Sequence, residues 1–182
     1  MQYSLEWLIA KVEKKELVKY LFFWGHQRSK SGELTAACFS QWWASPFVVE
    51  KVRYPTTEHW MMAQKALLFD DQEVYKQIIA VKSPAEVKAL GRKVRPFEEA
   101  AWNAERSAIV VRGNAEKFRQ HPDLQEFLLN TKERVLVEAS PVDSIWGIGL
   151  AADSEQAANP KRWNGLNLLG FALMEVRDQL RG

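Results

Sequence analysis

The residues best placed to do chemistry lie in one stretch, Tyr54-Pro55-Thr56-Thr57-Glu58-His59-Trp60-Met61-Met62-Ala63-Gln64-Lys65. On a helix of 3.6 residues per turn, Glu58 and Lys65 stand two turns apart and within about 20° of each other around the axis. Met61 and Met62 flank them, and nearly every other position through Phe69 is apolar. Such a helix is expected to be buried on most sides. A carboxylate and an amine on a buried helix must be paired or shifted in pKa, because an isolated buried charge is strongly unfavourable. A lysine side chain leans toward the helix N-terminus and so toward Glu58. Two readings follow. One is a structural ion pair, with Glu58 complementing the helix dipole in the first turn. The other is an acid/base group beside an amine in a water-poor pocket.

A second carboxylate stands in Pro141-Val142-Asp143-Ser144-Ile145-Trp146-Gly147. Alone, Asp143 reads as a turn or cap residue and Trp146 as core. Together they place an acid beside an aromatic plate after a strand, and glycosyl cleavage commonly uses two carboxylates around an oxocarbenium-like transition state. Gly91-Arg92-Lys93-Val94-Arg95 clusters three cations, either a solvated helix end or a phosphate grip through charge-assisted hydrogen bonds. Trp163-Asn164-Gly165 and Asn167-Leu168-Leu169-Gly170 open the last helix. They read as caps or as amides that receive an anion.

Other chemistries find little support. His26, His59 and His121 lack metal-ligand spacing, so no metal site is expected. The only cysteine, Cys38, has no histidine nearby in sequence and cannot form an intrachain disulfide. Gly147-Ile148-Gly149 lacks the rest of a dinucleotide fingerprint. No cofactor is expected.

These residues need elements to hold them. Leu5, Leu8, Ile9 and Val12 fall at helical spacing, predicting an amphipathic helix over residues 3–19. Tyr20-Leu21-Phe22-Phe23-Trp24 reads as a buried strand, residues 26–37 as a loop, and residues 46–54 as a strand or hairpin arm. Pro55-Thr56-Thr57 stops that strand and offers a hydroxyl cap to a helix starting near Glu58. Ser83-Pro84-Ala85-Glu86 is a capping box with proline in the first turn, and Gly91 marks that helix's end. A long helix is expected over about 98–120, a short one from Pro122, a strand over 134–139, a long loop over 151–162 and a final helix through Leu169, Leu173, Val176 and Leu180. The pattern is helix-rich α+β in a single compact domain with a small β-sheet, without regular βαβ alternation.

Bulk properties agree with this. The chain has 182 residues, 47% of them hydrophobic, enough for one real core. A net charge of +2 does not argue for a nucleic-acid binder. No apolar run reaches membrane-spanning length, and Glu6, Lys11, Glu13, Lys14, Lys15 and Glu16 interrupt any charged-then-apolar signal pattern at the N-terminus, so a soluble cytoplasmic setting is expected. Eight tryptophans are many for this length. Most serve as core fillers, and a few suit a pocket that stacks on a planar ring.

Phe39-Ser40, the stretch from Tyr54 to Trp60 and Ala63-Gln64-Lys65, taken in order, resemble the core signature of the NADAR family, the YbiA-like N-glycosidases. Gly91-Arg92, Trp102, Val137-Glu138, Asp143, Trp146-Gly147, Gly165, Asn167, Leu169-Gly170 and the segment from Leu173 to Leu180 follow in the family's order. The resemblance covers roughly residues 20–181, leaving residues 1–19 as an N-terminal helical extension and residues 20–182 as the YbiA-like domain. It implies a hydrolase that cleaves N-glycosides of ribose phosphates. Two substrate classes fit: early riboflavin-biosynthesis intermediates, which carry a ribosyl-amine on a pyrimidine, and ADP-ribose attached to a nucleobase. A small molecule is the expected partner, and an ADP-ribosylated base on a nucleic acid is a further form of the second class; no membrane partner is expected.

Carried over by residue, the resemblance implies Glu58 as the main acid/base and Asp143 as the group that orients sugar or water. Trp102 and Trp146 would shape the base and ribose pocket, with Gly147 and Asn167 beside it, and Arg92 would meet phosphate. Lys65 matches the family lysine that captures the opened ribose C1 as a Schiff base. Burial would depress its pKa for that role, while pairing with Glu58 would raise it. The residues leave both open. A rival of another class is a sensor that binds ADP-ribose or a nucleotide without chemistry. Relative to the compact family pattern, residues 1–19, 26–37 and 151–162 are additions.

Overall fold

The computed structural model describes residues 2–182, and each element forms where its local chemistry favours it. Helix α1 (Leu5–Glu13) starts at Ser4, whose hydroxyl accepts from the Trp7 amide. It is shorter than the expected 3–19. The apolar stripe ends at Val12, Lys15 turns left-handed (φ 58°), and the Lys15 and Glu16 amides bond back to the Val12 and Lys11 carbonyls. That paired closure terminates a helix outright.

Strand β1 (Tyr20–Phe23) buries only Phe23 fully, and Trp24 beyond it is 58% exposed, so this is not the buried strand its aromatic run suggests. A 3-10 turn at Ala36–Phe39 ends the loop after it. Strands β2 (Phe47–Val49) and β3 (Val52–Tyr54) form an antiparallel hairpin. Glu50 and Lys51 make its two-residue turn with φ 51° and 67°, the conformation that matches strand twist.

Helix α2 (Thr57–Leu68) begins at the expected hydroxyl cap, Thr56, and is buried on most sides. Helix α3 (Gln72–Ala80) has no counterpart in the sequence reading. Its apolar stripe is short, with only Val74 and Ile78 buried, though Asp71 caps it. Helix α4 (Pro84–Gly91) begins at the capping box, with Ser83 accepting from the Glu86 amide. Helices α5 (Glu99–Gln120) and α6 (Pro122–Leu129) follow. Strand β4 (Val135–Glu138) pairs in parallel with β1, Tyr20 opposite Val135 and Phe23 opposite Glu138. Helix α7 (Leu168–Arg181) closes the chain. The fold is helix-rich α+β, and its β structure is two separate two-stranded sheets.

The chain forms two compact units, Met1–Ser40 with Pro122–Gly182, and Gln41–His121. In the first, the β1–β4 pair packs on α7. The approach is so close that a Cβ on Gly170 would lie 2.1 Å from the Leu136 carbonyl oxygen, which only glycine avoids. In the second, α2 is the central helix, packed by α3, α4 and α5.

Candidate active site

Glu58 sits in the first turn of α2 and is only 4% exposed. The chain holds that turn firmly. The Gln41 carbonyl accepts from both the Glu58 amide (3.0 Å) and the Thr57 hydroxyl (3.2 Å). Asn114 on α5 donates to the Gln41 side chain (3.0 Å) and to the Val110 carbonyl (2.9 Å). A carboxylate here is stabilised by the positive end of the helix dipole. His59 next to it is a core residue, fully buried, with Nδ1 2.8 Å from the Thr56 hydroxyl. Burial lowers its pKa and keeps the ring neutral.

Lys65, two turns on, does not pair with Glu58. Its ammonium donates to the Gly91 carbonyl at the end of α4 (2.9 Å) and lies 4.3 Å from the Phe97 ring centroid and 5.5 Å from that of Trp102. The ring faces favour the charged form. Burial and the nearby Arg95 guanidinium oppose it, and the net result is a pKa below the ordinary lysine range. The two opposed effects read from the sequence thus resolve toward a depressed amine.

Arg92 is exposed at the end of α4, and its carbonyl accepts from the Arg95 guanidinium (3.1 Å). Arg95 belongs to the cation cluster read from the sequence, whereas Phe97 escaped selection because it stands in the irregular segment before α5, where no periodicity points inward. Arg106 was missed as well. It is half-buried, one helical turn after Trp102, with no hydrogen bond or ion pair to its side chain among the described residues. Burial lowers its pKa against the opposing charge of Glu99. Its four-residue spacing from Trp102 was the available signal.

The other sequence candidates gather in the first unit. Asp143 Oδ1 accepts from the amides of Ile145 (2.9 Å) and Trp146 (2.8 Å), which folds residues 143–146 into a tight turn. That turn leaves Trp146 half-buried. Gly147 is buried where a Cβ would meet the Glu138 carbonyl at 2.8 Å. Its own carbonyl accepts from the Asn167 amide (3.0 Å). Asn167 takes a left-handed conformation (φ 53°), and both ends of its amide serve strand β4: Oδ1 accepts from the Glu138 amide and Nδ2 donates to the Leu136 carbonyl, each at 2.9 Å. The Leu168 and Leu169 amides at the start of α7 are taken by the Ile145 and Trp146 carbonyls. This helix end therefore holds the 143–147 turn.

The structure thus brings Glu58, Lys65, Trp102 and Arg92 into the second unit, and Asp143, Trp146, Gly147 and Asn167 into the first. Among the described residues, no group of three or more histidine, cysteine, aspartate or glutamate side chains could hold a metal ion. No helix is long and apolar enough to cross a membrane.

Comparison with known proteins places the chain in a family. The NADAR domain family model matches residues 22–181. An N-glycosidase of Acanthamoeba polyphaga mimivirus, R617, is 41% identical over 90% of this chain and 98% of its own length. An N-glycosidase of Nostoc punctiforme is 35% identical over 79% of this chain and 85% of its own. The N-glycosidase YbiA of Escherichia coli K12 is 33% identical over 78% and 80%. The NMR structure of E. coli YbiA superposes with a TM-score of 0.65 at 28% identity, covering 91% of this chain and 88% of that one. With the motifs in order across most of its length, this chain is an enzyme of the N-glycosidase class and belongs to the NADAR domain family.

Proposed function

We propose that the substrate is a ribose-phosphate N-glycoside, either a riboflavin-biosynthesis intermediate with a pyrimidine-linked ribosyl-amine or an ADP-ribosylated nucleobase, free or on a nucleic acid. The observation that carries this is the Lys65 amine, its pKa depressed, set between Phe97 and Trp102, with Glu58 two turns earlier on the same helix.

Glu58 serves as acid/base: it protonates the departing nitrogen as the C1–N bond breaks, then assists water in adding to C1. Lys65 offers a covalent route. In a ring-opened ribosyl-amine, its amine attacks C1 and displaces the nitrogen of the leaving group, giving a Schiff base. Water then hydrolyses that Schiff base, freeing the sugar aldehyde and restoring the lysine. The Gly91 carbonyl holds one Lys65 N–H and so orients the amine. Trp102 shapes the base and ribose pocket beside Lys65. Arg92, exposed and with no acceptor bound to its side chain among the described residues, meets phosphate. A cytoplasmic setting suits a chain whose only cysteine is Cys38.

A mass-spectrometric turnover assay tests the reading, with the phosphoribosylamino-pyrimidine and a guanine-linked ADP-ribose side by side, wild type against Glu58→Gln. Release of base from one substrate by wild type alone supports the mechanism and selects the branch. Equal release by the variant removes Glu58 from its role, and silence on both substrates removes the substrate class.

A further inference from the structure

The face of α2 turned away from Glu58 and Lys65 borders a cavity that the chemistry above does not use. Trp60 and Gln64, one turn apart on that face, line it, with a volume of about 140 Å³. Its floor is buried: Trp60 is 2% exposed and Tyr54 3%. The Trp60 indole is fixed by its N–H, which donates to the Ile109 carbonyl (2.8 Å), and by edge contact with Tyr54 (ring centroids 5.2 Å apart). Its N–H is therefore already used and is not a donor to the cavity.

The mouth lies at the hairpin turn. There the Arg112 guanidinium stands 5.2 Å over the Trp60 ring and pairs with Glu50 at 2.9 Å, both side chains more than half exposed. The polar groups inside are neutral. Tyr54's hydroxyl lies beside the Tyr75 hydroxyl and the Gln64 amide, and burial first, then Tyr75, holds its pKa far above the usual range, so it stays protonated.

We propose that this cavity is a second binding site, for a neutral single-ring heterocycle of the nucleobase class. Size sets the ring count, since a cavity of about 150 Å³ takes one benzene ring. Charge argues against a phosphate ligand: among the described residues Arg112 is the only cation that lines the cavity, and Glu50 already pairs with it. Hydrogen bonding selects a heterocycle over a hydrocarbon, because the amide of Gln64 and the hydroxyl of Tyr75 meet a ring edge carrying both donors and acceptors. The site stands apart from the chemistry proposed for Glu58 and Lys65 and does not depend on it.

The test is calorimetry and saturation-transfer NMR on the full chain, with uracil as probe and ribose 5-phosphate as the anionic comparison. Uracil is expected to bind in the millimolar range or tighter, to weaken at least about tenfold in Gln64→Leu, and to keep its affinity in Lys65→Ala. Tyr75→Phe provides a second reading if Gln64→Leu fails to fold. The proposal is overturned if uracil gives no saturation transfer, if Lys65→Ala abolishes its binding while Gln64→Leu and Tyr75→Phe spare it, or if ribose 5-phosphate competes for the same residues.

Discussion

At the scale of single residues, the decisive fact is that one helix carries a carboxylate and an amine that do not neutralise each other. Glu58→Gln keeps the shape of a buried side chain but removes its proton chemistry. We expect turnover to fall by about 10²–10⁴-fold with an unchanged thermal melt; wild-type rates in a folded variant would exclude it as the acid/base. For Lys65 the sign of the pH effect is fixed by its lowered pKa. The free amine becomes available as pH rises through that lowered value, before the ordinary 10.5 is reached. Borohydride trapping of a substrate adduct should therefore increase with pH and level off below 10.5, and Lys65→Arg should give no adduct. Trapping that keeps climbing past 10.5, or an adduct in the arginine variant, would remove the Schiff base. The pairing of Glu58 with Lys65 that the sequence left open is absent because the lysine reaches sideways to the Gly91 carbonyl and the rings of Phe97 and Trp102, contacts made across the fold that helix geometry alone cannot foresee.

At the scale of elements, Asn167 is a joint between β4 and α7. Its amide completes hydrogen bonds for two backbone groups of the strand while its backbone holds the left-handed turn into the helix. Asn167→Ala would orphan the Glu138 N–H and the Leu136 carbonyl and place alanine at positive φ, a loss of about 3 kcal/mol or more; urea unfolding showing less than about 1 kcal/mol would refute this role. Gly170→Ala would push a methyl into the Leu136 carbonyl and should cost about 1–3 kcal/mol by the same measurement. Elements with their own start signals were legible in the sequence: Thr56 opens α2 and Ser83-Pro84 opens α4, because a cap is a local interaction. Elements that depend on tertiary support were not. Helix α3 is nine residues long with only Val74 and Ile78 buried, too short for its pattern to stand out, α1 stops where the Lys15 and Glu16 amides turn back onto Val12 and Lys11, and the aromatic strand β1 is left half-exposed by its place in a two-stranded sheet. For the candidate site, the types and spacing of Glu58 and Lys65 pointed to it, Trp102 came through the resemblance and Arg95 through its cation cluster, whereas Phe97 gains its interest only from its contact with Lys65 and Arg106 only from burial.

At the scale of the molecule, both termini of the described chain belong to one unit and grip each other. The Gln2 and Tyr3 amides donate to Glu175, and the Tyr3 hydroxyl donates to Asp178 at 2.5 Å. Burial, then this bond, raises the tyrosine pKa from 10.0 to about 12. A raised folded-state pKa means the folded chain holds the proton more tightly, so the contribution is complete below pH 10 and disappears as pH climbs toward 12. The stability difference between wild type and Tyr3→Phe should be constant below pH 10 and shrink above it, and a difference flat to pH 12 would contradict the contact. That same unit has a consequence for synthesis. Strand β1 leaves the ribosome unpaired, and its parallel partner β4 follows only about a hundred residues later. At cellular elongation rates that gap lasts on the order of ten seconds. Throughout it, Tyr20, Phe22 and Phe23 offer an open strand edge to whatever is near, which makes the nascent chain a client for holding chaperones until translation reaches Glu138.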